Sequence, residues 1–145
     1  MNDDFDYCMA ALNYSGLIIA SKGEEDDMDK YEDDDNLSND DMDIDGNNKK
    51  KSKGKKNSHI YFKPFNENKN MKSWQFEFKD GENVECLALG TGWSVAFTDF
   101  GYIRVFSIDG IQKYVFCQGT PVVTMVGYEN LLAIVYHAGP SIYGC

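Results

Sequence analysis

Apolar positions along this chain fall in short alternating or continuous runs, rich in β-branched and aromatic residues and closed by Gly, Asn or Asp. Outside a charged middle stretch, none of them recurs at the spacing of an amphipathic helix. The pattern predicts ten strands: Tyr7–Leu12, Leu17–Ser21, His59–Phe65, Ser73–Lys79, Val84–Leu89, Trp93–Thr98, Tyr102–Ile108, Ile111–Cys117, Val122–Val126 and Leu131–His137. The turns between them are tight: Asn13-Tyr14-Ser15-Gly16, Gly90-Thr91-Gly92, Asp99-Phe100-Gly101, Asp109-Gly110 and Gly127-Tyr128-Glu129-Asn130. A parallel return needs a crossover of about a dozen residues, so strands joined this closely must pair antiparallel.

Three segments repeat in register: CMAALNYSGLIIASKG from Cys8, ECLALGTGWSVAFTDFG from Glu85 and VTMVGYENLLAIVYHAG from Val123. Each reads as a short apolar strand, a turn, a more hydrophobic strand and a Gly-bearing turn. Gly90 and Gly127 are 37 residues apart, close to the roughly 40-residue, four-strand period of WD-type propeller blades. The predicted fold is therefore all-β: a partial WD40-like β-propeller of about two and a half four-stranded blades. Residues 1–22 form the first hairpin of a blade, 23–57 an insert within that blade, and 58–145 the remaining blades. Two and a half blades cannot close a ring and protect their sheet edges, so the sequence reads as part of a larger propeller. Residues 58–145 alone are expected to aggregate.

Composition changes the picture only in the middle. The chain has 145 residues and a formal net charge of −10. Residues 23–45 hold thirteen acids against Lys30, and residues 46–57 hold six Lys and no acid, whereas 58–145 balance eight acids with six bases. The charge thus belongs to the insert, which has too few apolar residues to offset the entropy of ordering and is predicted to be disordered. Its basic run, Lys49, Lys50, Lys51, Lys53, Lys55 and Lys56, reads either as a nuclear-import or nucleic-acid patch or as the counterweight of a self-screening solvated loop. Ser38, ahead of Asp40 and Asp41, fits an acidophilic kinase site. No apolar run reaches membrane-spanning length, and the acidic start MNDDFDY is neither a secretory nor a mitochondrial leader.

Chemistry is sparse. Cys8, Cys86, Cys117 and Cys145 lie far apart without CxxC or a ligand-spaced His, which supports neither zinc nor a disulfide framework. The first three sit in apolar runs and are expected to be buried thiols. His59 and His137 have no nucleophile or carboxylate in a catalytic order, and Gly90-Thr91-Gly92 has no third glycine or following helix to cradle a phosphate. Asp99 and Asp109 should accept local backbone hydrogen bonds in turns. Arg104, the only Arg, is expected to pack between Tyr102 and Phe106, and Trp74 and Trp93 to pack between blades. No catalytic, cofactor-binding or metal-ligating residue is assigned.

The stretch Trp74 … Gly81-Glu82-Asn83-Val84 … Leu89-Gly90-Thr91-Gly92-Trp93 … Arg104-Val105-Phe106-Ser107 … Gly110-Ile111-Gln112 … Gly119-Thr120-Pro121-Val122-Val123 … Val135-Tyr136-His137 carries sub-patterns that are jointly specific. In order and spacing it resembles the central propeller (the minichromosome-loss middle region) of a replisome adaptor family. This is the chromosome-transmission-fidelity or minichromosome-loss family of fungi, called acidic nucleoplasmic DNA-binding protein, or WD-repeat and HMG-box DNA-binding protein, in animals. The resemblance runs from Trp74 to His137, with Leu17–Lys22 similar to the family's opening hairpin.

What the resemblance implies is a nuclear, chromatin- and DNA-associated, non-enzymatic hub. Such a hub forms homotrimers, tethers the replicative helicase to DNA polymerase α–primase, and supports cohesion and repair. It implies no cofactor, membrane or small-molecule substrate. The sequence departs from the family in lacking its N-terminal WD propeller, helical extension and HMG box, so client binding cannot be carried onto residues here. The alternative is an acidic chromatin- or histone-binding protein acting through the charged insert.

Overall fold

The computed structural model describes residues 6–23, 56–66 and 71–139. Among the described residues ten strands form in chain order: β1 (Tyr7–Leu12), β2 (Gly16–Ser21), β3 (His59–Pro64), β4 (Trp74–Glu77), β5 (Val84–Gly90), β6 (Trp93–Thr98), β7 (Tyr102–Ser107), β8 (Gln112–Cys117), β9 (Val122–Tyr128) and β10 (Leu131–Tyr136). They make two four-stranded antiparallel sheets, β1-β2-β3-β4 and β5-β6-β7-β8, and a two-stranded sheet, β9-β10. These are the two blades and the half-blade that the repeat predicts: the chain is all-β, a partial WD40-like propeller. Every predicted strand is present, with ends shifted by one or two residues. The insert predicted for 23–57 falls outside the described residues except for Gly23, Lys56 and Asn57. On either side of it, β2 and β3 pair without a slip from Gly16↔Pro64 to Ser21↔His59.

The repeat extends to an irregularity. In each unit the first strand carries one unpaired residue near its start: Cys8 between the pairs Tyr7↔Ser21 and Met9↔Ala20, Glu85 between Val84↔Thr98 and Cys86↔Phe97, and Val123 between Tyr136↔Val122 and Val135↔Thr124. An extra residue in one strand of a pair bends that strand and aims its own side chain away from the ladder. All three bulge residues are exposed. This corrects the expectation that Cys8 is buried. Cys117, on the outermost strand of its blade, is exposed as well, and Cys86 is half-buried.

The blades stack face to face, with β5 packed against β1 and β2 on one side and against β9 and β10 on the other. One core joins the first two blades: Ile18, Ile60 and Phe62 meet Leu87, Leu89, Ala96 and Phe106. A second joins the other face of the middle blade, Ala88, Val95, Phe97 and Ile103, to Met125 with Leu132 and Ile134 beside it. Strand β6 therefore buries both faces, which is why Trp93–Thr98 is a nearly continuous apolar run rather than an alternating one. Trp74 plugs the first interface. Its ring stacks between Phe62 (5.8 Å) and Phe106 (5.7 Å), and its Nε1 donates to the Ile108 carbonyl at 3.0 Å. Gly110, at φ +84°, lies directly against that ring, where a Cβ would come within 2.7 Å of it.

Candidate interaction surface

Antiparallel order puts the loops at two ends. At the turn end lie the β1–β2, β5–β6 and β9–β10 turns, tied by polar contacts that cross between blades. Asn13 Nδ2 donates to the Gly90 carbonyl at 3.0 Å, and Tyr14 Oη shares a hydrogen with Thr91 Oγ1 at 2.9 Å. The Thr91 N–H and Trp93 Nε1 both donate to the Glu129 carbonyl, at 2.8 and 2.9 Å. Glu129 holds φ +47°, a left-handed position unusual for a non-glycine residue, which directs its carbonyl to these two donors. Below them β9 comes so close to β5 that a Cβ on Gly127 would meet the Leu89 carbonyl oxygen at 2.6 Å. Outside this locked ring the surface is apolar: Leu12, Tyr14, Tyr128 and Leu131 are each 69–74% exposed.

The opposite end carries the insert's roots, the β4–β5 linker, the β6–β7 turn and the β8–β9 connector. Asn83 organises it: Oδ1 accepts from the Gly23 N–H at 2.8 Å, and its own N–H and Nδ2 donate to the two Asp99 carboxylate oxygens at 2.9 and 3.1 Å. Asp99, expected to accept backbone hydrogen bonds within its own turn, instead clamps a linker sixteen positions away. Asp109, at the turn end, accepts from the backbone of its own turn, as expected, but its main partner is a side chain. The Ser107 hydroxyl donates to its carboxylate, and that bond, chiefly, holds the Asp109 carboxyl below the usual carboxylate range. Ser107→Ala is therefore expected to raise the Asp109 pKa towards its ordinary value in an NMR titration. An unmoved titration would mean the hydroxyl is not the cause.

Arg104 differs from its expectation in one respect. Its guanidinium lies over Tyr102 (5.6 Å) and Phe78 (5.9 Å), so Phe78 takes the place expected of Phe106. More important, Nε and Nη2 fork onto the two oxygens of Glu82 at 2.8 and 2.6 Å, while Nη1 donates to Gln112 Oε1 at 3.0 Å. Thr98 Oγ1 donates to Glu82 as well, at 2.7 Å, and Glu82 is 5% exposed. Glu82 is the residue that sequence reasoning missed. The signal was available: a lone Arg in mid-strand requires a carboxylate, and the linker before β5 supplies one.

Of the basic run, Lys49, Lys50, Lys51, Lys53 and Lys55 lie outside the described residues. Lys56 sits half-buried at the root of β3, its carbonyl facing Gly23. His59 starts β3 at 3.9 Å from Glu77, and His137 follows β10 with its N–H on the Pro121 carbonyl, so the two histidines are not brought together. Among the described residues no three His, Cys, Asp or Glu side chains group to hold a metal ion, and no helix is long and apolar enough to cross a membrane.

Comparison with known proteins places this geometry. The chain is 42% identical over 73 residues to mouse WD repeat and HMG-box DNA-binding protein 1, covering 50% of the chain and 6% of that protein. It is 41% identical over 73 residues to the human protein of the same name, with the same coverage. To Arabidopsis thaliana Protein ENHANCER OF LHP1 1 it is 41% identical over 91 residues, covering 62% of the chain and 9% of that protein. The chain thus matches only a small part of the length of these relatives. A family described as "Minichromosome loss protein, Mcl1, middle region" matches all of residues 1–145. The chain belongs to the minichromosome loss protein middle-region family.

Proposed function

We propose that this chain is part of a non-enzymatic scaffold of DNA replication. In that reading the scaffold acts in the nucleus as a homotrimer, holds the replicative helicase and DNA polymerase α–primase together on chromatin, and supports cohesion and repair. Family membership carries the reading, and the names of the animal relatives, as DNA-binding proteins, support a place on chromatin. The geometry supports a binding role: rigid, cross-tied turns present large apolar side chains at one end, as an interaction platform requires. The test is affinity purification of the full-length product from nuclear extract. Helicase and polymerase α subunits are expected to co-purify, and light scattering is expected to give a trimer; recovery of neither enzyme at moderate salt would sink the proposal.

The uninterrupted β2–β3 register favours a second reading, in which the charged insert binds chromatin, since a segment that leaves its blade undisturbed is free to serve another purpose. Deleting residues 24–55 separates the two. The scaffold reading expects chromatin association and assembly to persist, and the insert reading expects chromatin association to vanish.

A further inference from the structure

At the insert end, a groove of about 460 Å³ runs between the β6–β7 turn and the β8–β9 connector, with Phe97 as its floor and Phe100, Cys117 and Pro121 in its walls. Its two acidic side chains are Glu85 and Asp99, and no Lys or Arg lines it. The same two carboxylates also line a neighbouring hollow of about 420 Å³, bounded by Asn83, Gly23 and Lys22. Glu85 is there because it is the bulge residue of β5: it has no Cα partner in the ladder, and its carboxylate has no hydrogen bond or ion pair among the described residues. The equivalent bulges present Cys8 and Val123, so the acid is particular to the middle blade. Asp99 is fixed by two bonds from Asn83, both from neutral donors, and on the groove side no cation faces it, Lys22 lying in the neighbouring hollow. Phe100 is 52% exposed beside it, and Gly101 and Gly119 put no side chain in the way of an entering backbone.

We propose that this groove binds a basic peptide of a partner protein, in extended form. A Lys or Arg would sit between Glu85 and Asp99, with an apolar neighbour over Phe100 and Pro121. Two carboxylates with few competing partners, set in a largely apolar groove, favour a cation with an aliphatic stem. They repel nucleic acid and acidic segments. The inference does not depend on the replication reading.

The test uses the intact chain and a fluorescein-labelled nonapeptide of alternating Val and Arg, with a Val–Glu peptide as control. Anisotropy should show saturable binding of the Arg peptide alone, weakened at least about tenfold in the double variant Glu85→Gln, Asp99→Asn. Asn at position 99 keeps an acceptor for the Asn83 N–H but loses the one for Asn83 Nδ2, so circular dichroism must show the fold retained, and Glu85→Gln alone, which breaks no side-chain bond, should also weaken binding. Cys117 gives an independent readout, because the peptide should slow its alkylation by N-ethylmaleimide at least about threefold and leave the rate at Cys8 unchanged. Equal affinity in wild type and double variant, or an unprotected Cys117, overturns the proposal. So does binding that appears only after Lys49, Lys50, Lys51, Lys53, Lys55 and Lys56 are replaced by Ser, since the occupant is then the chain's own basic run.

Discussion

Truncating Phe106 to Ala is expected to lower the unfolding free energy of the chain by about 3–5 kcal/mol. Phe106 is fully buried on the face of β7 that looks towards the first blade. Its ring stacks on Trp74 at 5.7 Å and meets Phe76 edge-on at 4.9 Å. It therefore belongs to an interface between blades, and the cavity left by Ala would be walled by rigid rings and paired strands that cannot collapse into it. With a urea m-value of about 1–3 kcal/mol/M, the midpoint should fall by at least about 1 M. Amide exchange should quicken in β3 and β4 as well as in β7, because both sides of the interface lose the same plug. Val115→Ala, on the exposed β8, should change stability by no more than about 0.5 kcal/mol. If the two variants prove equally mild, the first two blades are not held together as described.

The strands were legible because local chemistry and tertiary structure agree along most of the chain. Gly92, Gly101 and Gly110 all take positive φ in the turns where the pattern places them, and β6 is buried along almost its whole length because both its faces are covered. Disagreement begins where distant parts of the chain decide. Ile108 falls outside β7 although its N–H still bonds the Gly92 carbonyl, because the Gly110 N–H bonds the Ser107 carbonyl and turns the chain there. Cys8 lies in an apolar run yet is exposed, because a bulge turns it out of the ladder, and periodicity of two carries no mark of one extra residue. Glu85 is exposed for the same reason. The register of the internal repeat does begin at Cys8, Glu85 and Val123, so the bulge is written in the repeat even though no single strand reveals it. Glu82 was missed for a different reason: a lone mid-strand Arg signals that an acid is needed, but the partner lies 22 positions away, and hydrophobic patterning says nothing about which acid meets it.

That pair sets the other large effect. Glu82→Gln should cost about 3 kcal/mol, because it leaves the Arg104 guanidinium partly buried and facing an amide, with one of its fork contacts turned from acceptor to donor. The acid side chain is 6% exposed and the Arg side chain 20%, so solvent can relieve only the Arg, and only in part. A surface ion pair would behave otherwise, losing about 0–1 kcal/mol and weakening in salt, whereas this fork should be nearly indifferent to 1 M NaCl. Replacing both partners by apolar residues of similar size, Glu82→Leu with Arg104→Met, removes the unpaired charge and should recover most of the loss. Thr98 Oγ1 would then lose its acceptor in Glu82 and retain a longer contact with the Tyr102 carbonyl, at 3.5 Å, so recovery should fall short of complete. A double-mutant cycle by urea denaturation measures the coupling. A loss below about 0.5 kcal/mol for Glu82→Gln would show that the linker before β5 is held by Asn83 and Asp99 alone. A loss near 3 kcal/mol with recovery in the double variant makes Glu82 the residue that fastens the first blade's exit strand to the middle blade.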